Sequence, residues 1–253
     1  MKKPGSKSKA SPSKKKPEKS LALTLTARSF VDTLKSYQSA AELKKNQRFY
    51  NEDGKDKCLG VRMKTIFDTA KSFMDMPLSE VEKLFDSPYY EARMGAVSIM
   101  DYRARRKNIS ESEKEALYKL YINRHDRINS WDLVDRSAPH VVGQYLSDKS
   151  RAVLYKLAKS KDVWERRTSI VSTWYFIRQN DINDTFKIAG ILVNDKHDMI
   201  HKAVGSWIRE AGKRDRQMLI GFLDQHAADM PRVMLRYAVE KLDKKQKEFY
   251  MTK

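Results

Sequence analysis

Cys58 is the only cysteine in this chain of 253 residues. It leaves no partner for an intramolecular disulfide. No secretory signal pattern stands at the N-terminus either, so an intracellular, reducing location is expected: the cytoplasm of a prokaryote, or the nucleus of a eukaryote. Also missing is any apolar run near the roughly 20 residues needed to span a bilayer, and no membrane partner is expected. No Gly-rich phosphate loop of either common type occurs, which argues against nucleotide-driven chemistry and a nucleotide cofactor. Histidine is sparse, and His125, His140 and His226 are scattered, with no Ser or Cys in a recognisable nucleophile setting. His197 and His201 stand one helical turn apart, a spacing that can grip zinc from one face, but no Glu follows the first and no third ligand is evident. No metal is therefore expected. Acidic residues are short as well, 33 Asp and Glu against 51 Lys and Arg, for a net charge of +18. Such a surplus argues for a polyanionic partner without separating nucleic acid from a membrane surface.

The charge is unevenly placed. Residues 1–20 carry eight lysines against Glu18, a net +7, together with Pro4, Pro12, Pro17 and several serines. A segment this poor in apolar side chains cannot offset its ordering entropy, so a disordered basic tail is expected. It reads either as a nucleic-acid-attracting or address segment, or as a solubilising extension. Residues 21–253 keep a net +11 and are read as a single domain.

From residue 21 onward the apolar spacing is helical. Residues three and four apart line up in Phe30-Leu34-Tyr37, Leu78-Val81-Leu84-Phe85, Leu117-Leu120-Tyr121, Val153-Leu154-Leu157, Ile170-Val171-Trp174 and Leu235-Ala238-Val239-Leu242. Ser79-Glu82 and Ser110-Glu113 resemble capping boxes, while Pro77, Pro88 and Pro231 sit where helices begin. Pro139 is expected to kink or close the helix that starts at Trp131. The aromatic run Trp174-Tyr175-Phe176-Ile177 reads as packing between helices. An all-α layout of about a dozen short helices follows.

The helices also repeat. Glu91-Ala92-Arg93-Met94-Gly95-Ala96-Val97-Ser98 aligns with Glu165-Arg166-Arg167-Thr168-Ser169-Ile170-Val171-Ser172 at a separation of 74 residues, and a further step brings Arg167 onto Lys202. A helix-pair repeat of this length predicts an α-α superhelix, a HEAT- or armadillo-like solenoid whose equivalent positions share one surface. Arg93, Arg167 and Lys202 would then form a basic rail, the alternative being ordinary solvated helix charges.

Trp131-Asp132-Leu133-Val134-Asp135 places an indole and a carboxylate one helical turn apart. Spacing alone also fits a core tryptophan beside a surface acid. Taken with Leu59-Gly60-Val61-Arg62, Trp164-Glu165-Arg166-Arg167, Asp195-Lys196-His197-Asp198, Lys202-Ala203-Val204-Gly205, Arg209-Glu210 and Met230 to Ala238, however, the chain resembles the AlkD-type DNA alkylation repair proteins over roughly residues 30–250. These are HEAT-like-repeat DNA glycosylases, some of whose relatives lack that activity.

The resemblance implies that Asp135 is the catalytic carboxylate, Trp131 the aromatic one turn before it, and Arg167 the active-site arginine. It further implies removal of positively charged N3- and N7-alkylated purines that stay stacked in the duplex, unlike base-flipping enzymes. The family's second active-site tryptophan follows the glycine of the Lys-Ala-Val-Gly run; Ser206 occupies that groove position here. Trp207 comes one residue later, turned by about 100°, and is expected to pack in the core.

The chemistry is consistent with this. An alkylated purine is already cationic, so its departure needs no general acid, and one carboxylate suffices to stabilise the developing oxocarbenium and orient water. Trp131 would lie against the cationic sugar or base. Arg167 would hold a phosphate bidentately, Asp132 would serve as a cap or ion-pair partner, and Arg93, Lys202, Arg62 and Arg166 would contact DNA. The partner expected is alkylated double-stranded DNA, bound by a monomer without cofactor. Two alternatives are a non-catalytic DNA-binding member of the same fold and a scaffold for protein partners.

Overall fold

The structure is a computed structural model that describes residues 24–50 and 56–253; the basic tail over 1–20 lies outside them. Its helices begin with α1 (Ala27–Lys35), α2 (Ala40–Tyr50), α3 (Met63–Ser72), α4 (Leu78–Phe85), α5 (Tyr90–Ala104), α6 (Glu111–Asn123) and α7 (Trp131–Ala138). They continue as α8 (Ala152–Leu157), α9 (Val163–Arg178), α10 (Asn183–Leu192), α11 (Asp198–Gly212), α12 (Arg216–His226), α13 (Arg232–Ala238) and α14 (Lys244–Met251). Among the described residues the only β-pairing is an isolated bridge between Lys57 and Tyr89. The chain is all-α.

The odd-numbered helices α3, α5, α7, α9, α11 and α13 pack each against the next in one continuous row. Helices α4, α6, α8, α10 and α12 pack against members of that row as a second layer, which makes the fold an α-α solenoid. Helices in the row are covered from several directions, so α5 buries Met94, Val97, Ile99 and Met100 together with Glu91, Arg93 and Asp101. Each large apolar side chain so enclosed contributes about 1.5–3 kcal/mol. The enclosed charges must find partners. Glu91 does so by accepting the backbone N–H groups of Leu59 (2.9 Å), Gly60 (2.9 Å) and Val61 (3.4 Å), which fixes the loop that leads into α3.

Two glycines set the spacing of the row. A Cβ on Gly205 would lie 2.4 Å from the Met234 carbonyl oxygen and 2.7 Å from Tyr237 Cβ. Gly143 stands in the same relation to Ser172 and Tyr175, at 2.2 and 3.0 Å. The same close approach, made at the same offset along the chain, is the repeat expressed as a packing contact.

One local start differs from expectation. Ser110 caps α6 as predicted, accepting from the Glu113 N–H at 3.2 Å, but α4 starts from Pro77, which leaves Ser79 inside its first turn. The fixed φ of proline, −53° here, already prepares the helix. Pro139 closes α7 as expected, the α-helix ending at Ala138. The chain passes from α7 into a π-helical turn, Pro139–Gly143, with the Gln144 N–H donating to the Pro139 carbonyl at 3.0 Å. Proline has no N–H to give the Asp135 carbonyl, and a wider turn accommodates that loss.

Candidate active site in an aromatic cleft

A cleft of about 1220 Å³ opens along the row, lined by side chains from α3, α5, α7, α9, α11 and the π-helical turn. All four tryptophans of the chain, Trp131, Trp164, Trp174 and Trp207, line it. Trp131, at the first position of α7, keeps 47% of its surface exposed, unusual for an indole. Asp135 follows one turn later on the same side. Asp132 lines the cleft but is engaged in tying the start of α7. It accepts from Ser130 Oγ (2.6 Å), from the Leu133 N–H (3.0 Å) and from the Tyr90 hydroxyl on α5.

Asp135 and Arg167 form a two-pronged ion pair. Arg167 Nε donates to Asp135 Oδ1 at 2.9 Å and Nη2 to Oδ2 at 2.7 Å, while Nη1 donates to the Met199 carbonyl at 2.5 Å. The guanidinium is buried; the carboxylate keeps part of its surface in the cleft. Burial pushes the Asp135 carboxyl above the ordinary aspartate range; Arg167 pulls it back, and the charge of Asp132 adds to the rise. The expectation that Arg167 holds a phosphate bidentately is corrected accordingly, because its fork is occupied by Asp135. It links α9 to α7 and to the start of α11.

The basic rail is not an open surface. Arg93 is 1% exposed and ion-paired to Asp56, with Asn129 also in reach of its Nη2 at 3.4 Å. The aligned pair Arg93 and Arg167 are thus buried arginines, each holding an aspartate from an earlier part of the chain. Arg166 is committed to Asp195 at 2.6 Å and to the carbonyls of Ser160 and Lys161. Arg62, at the N-cap of α3, is mostly exposed and pairs with Glu42 at 3.0 Å. Lys202 is half-buried and pairs with Asp198 at 2.5 Å, with 40% of its side chain open to solvent. Only these last two of the five present their charge to solvent.

Ser206 lines the cleft, and so does Trp207, against the expectation of a core position. The Trp207 indole N–H donates to the Val171 carbonyl at 3.2 Å, and its ring lies 6.2 Å from that of Trp174. Trp174, read from sequence as packing between helices, is half-buried and shares the cleft wall. His197 caps α11 and His201 meets the Asp195 carbonyl at 2.6 Å, so neither is arranged as a metal ligand. No metal-binding group of three is present among the described residues.

Sequence reasoning missed the composition of the cleft. Five carboxylates line it (Asp56, Asp101, Asp132, Asp135 and Glu210) against three guanidiniums (Arg105, Arg136 and Arg209). In a chain of net charge +18, the cleft is aromatic, and four of its carboxylates are held in ion pairs, Asp56 by Arg93, Asp135 by Arg167, Asp101 by Arg136 and Glu210 by Arg209. Also missed was a buried cluster at Asp101, which is 1% exposed. Arg136 Nη1 lies 2.8 Å from Asp101 Oδ2, and His140 Nδ1 lies 3.0 Å from Oδ1. The Arg136 guanidinium is held between the rings of Phe67 and Tyr102, at 4.8 and 4.7 Å. Arg105 meets Asp101 from one turn on, but its partners Arg136 and His140 lie in later elements, which no local signal marks.

The model of the family described as DNA alkylation repair enzyme matches residues 30–242. The chain belongs to this family, of the AlkD type. Its fold is similar to that of a predicted DNA alkylation repair enzyme from Enterococcus faecalis, with a TM-score of 0.64 and 14% identity, over 82% of this chain and 97% of that one. No curated protein matches. Among the described residues of this DNA alkylation repair family member, no helix is long and apolar enough to cross a membrane.

Proposed function

We propose that this protein is a DNA glycosylase that hydrolyses the N-glycosidic bond of positively charged N3- and N7-alkylated purines in duplex DNA. The observation that carries the reading is the cleft itself: four indoles around the part-exposed carboxylate of Asp135, sunk into a strongly basic chain. The basic body attracts the polyanion. The indole faces and the part-exposed Asp135 favour a cation, and among nucleotides the alkylated purine is the one whose base carries positive charge.

Trp131 offers its π face to that cation or to the sugar as it becomes cationic. Asp135 supplies the fixed negative charge beside the developing oxocarbenium, with Arg167 holding both of its oxygens in position. Because the carboxylate is anchored before substrate arrives, little reorganisation is required at the moment of bond breaking. Arg62 and Lys202, each open to solvent at least in part, are cations that would meet the backbone. The lesion stays stacked, and the working form is a monomer without a cofactor.

The test is release of free purine from methylated duplex. Wild type should release 3-methyladenine or 7-methylguanine, and Asp135→Asn should be slower by about 10²-fold or more while binding duplex equally well. Absence of release by the wild type, with salt-sensitive duplex binding retained, would leave a DNA-binding member of the fold. Failure to bind duplex even at low salt would leave a protein scaffold.

A further inference from the structure

We infer that Arg105 grips a backbone phosphate of the bound duplex inside the cleft and so holds the damaged strand in position at Asp135; the inference rests on the duplex-binding part of the reading above. Arg167 is occupied by Asp135, and Arg93 and Arg166 are tied to their own aspartates, so none of these three is free for a strand that enters. Three other guanidiniums line the cleft, those of Arg105, Arg136 and Arg209. Arg136 is held by Asp101 at 2.8 Å, donates to Ser98 Oγ at 3.1 Å and lies between the rings of Phe67 and Tyr102, with 17% of its side chain open to solvent. Arg209 is pinned by Glu210 at 3.2 Å and by Glu240, and is 18% open.

Arg105 differs from both. Its side chain is 51% open, and among the described residues it meets a single partner, Asp101 Oδ2, at 3.4 Å from Nη1. That oxygen is already taken by Arg136 at the shorter distance of 2.8 Å. The charge of Asp101 is therefore matched without Arg105, whose Nε and Nη2 donate to no described residue. Two neighbouring N–H groups of one guanidinium match two oxygens of a phosphate, a fit that a lysine cannot reproduce.

The position follows from the end of α5. Arg105 comes directly after its last residue, in the basic run Arg103-Ala104-Arg105-Arg106-Lys107. Arg103 turns away to Glu113 (2.7 Å) and to the Met76 carbonyl (3.0 Å), and Arg106 turns to Asp75. Successive side chains at a helix end point about 100° apart, so one member of the run faces the cleft while its neighbours do not. Asp101, one turn before Arg105, is braced by Arg136, and Arg136 directly follows Asp135 on α7. A phosphate held by Arg105 is thereby referred to the same helix that carries Asp135 and Trp131.

The test uses duplex with a single 7-methylguanine, and wild type, Arg105→Gln and Arg105→Lys. Affinity is measured against salt concentration, and purine release under single-turnover conditions at saturating protein. Arg105→Gln should reduce the slope of log affinity against log salt by about 0.9, the share of one phosphate, and slow release by about tenfold or more. Arg105→Lys should restore the slope, since it restores the charge. Replacing the phosphates around the lesion one at a time by uncharged methylphosphonates should reveal one linkage whose neutralisation weakens wild type but not Arg105→Gln. Melting temperatures should stay close to wild type, because Arg136 continues to hold Asp101. A wild-type salt slope in Arg105→Gln, or a methylphosphonate map identical to that of wild type, would overturn the inference and leave the glycosylase reading standing. Duplex binding without purine release would remove the glycosylase reading, while slope and map still decide Arg105. Wild type that binds no duplex would remove both.

Discussion

Arg167 closes its guanidinium over both oxygens of Asp135, at 2.9 and 2.7 Å, across 32 positions of sequence. The pair joins α7 to α9 and fixes the carboxylate one turn after Trp131. Removing the arginine would leave a carboxylate that burial already pushes above the usual range without its main counterweight.

Arg167→Ala should therefore act twice. Stability should fall by about 2–3 kcal/mol, less than for a fully buried pair broken on one side, because Asp135 keeps contact with the cleft. The acid limb of purine release should move to higher pH. The ionised carboxylate is the active form; losing Arg167 raises the pH at which it forms, so activity lost at neutral pH should partly return as pH rises. The same shift has a stability counterpart. A carboxyl whose folded pKa lies above the unfolded value contributes stability below the ordinary aspartate pKa and loses it as pH rises through the raised one. Urea titrations and pH–rate profiles of wild type and variant check both; an unmoved acid limb would contradict the coupling.

Glu91 should prove structural. Its carboxylate serves three successive backbone N–H groups from inside α5, and Glu91→Ala would leave all three buried and unpaired. A loss of about 3 kcal/mol or more is expected, with Glu91→Gln milder because an amide offers one acceptor oxygen. Denaturant unfolding measures this, and an Ala variant as stable as wild type would show that the loop finds other partners.

What could be read from the sequence was local. Trp131 and Asp135 lie one turn apart on a single helix, so their common side follows from helix geometry alone, and the helical period foretold the all-α solenoid. What could not be read depended on partners in other repeats. Arg93 looks like a groove cation until Asp56 and the enclosing row bury it. Trp207 looks misplaced by a residue until Trp174, from the preceding odd-numbered helix, is seen beside it in the cleft wall. A helix with neighbours on several sides gives no polar stripe, so Asp101 carried no signal of its place in the cleft.

Gly205 tests the spacing of the row. An alanine there would bring its Cβ to 2.4 Å from a backbone oxygen on α13, which cannot rotate away as a side chain can. Gly205→Ala should cost about 2–3 kcal/mol through overpacking, lowering the melting temperature. Gly221→Ala, where nothing lies within 4 Å of the added carbon, should be neutral or slightly stabilising. Equal melting temperatures for the two variants would mean that α11 and α13 separate easily.

Ser206→Trp probes whether the cleft wall sets the substrate. Ser206 lines the cleft and is half-buried, so an indole added there can extend into open volume without displacing the core. Stability should change by less than about 1 kcal/mol, as for most substitutions outside packed interiors. The rate or lesion preference should change by about tenfold or more, because the new ring would stand beside Trp207 and narrow the space that faces the stacked lesion; binding differences of this order follow from a few closely packed atoms. The comparison is single-turnover release of 3-methyladenine and 7-methylguanine by both forms, alongside thermal unfolding. If release rates and lesion ratio match while the variant stays folded, position 206 takes no part in substrate recognition, and the neighbouring indoles of Trp174 and Trp207 become the wall to be tested.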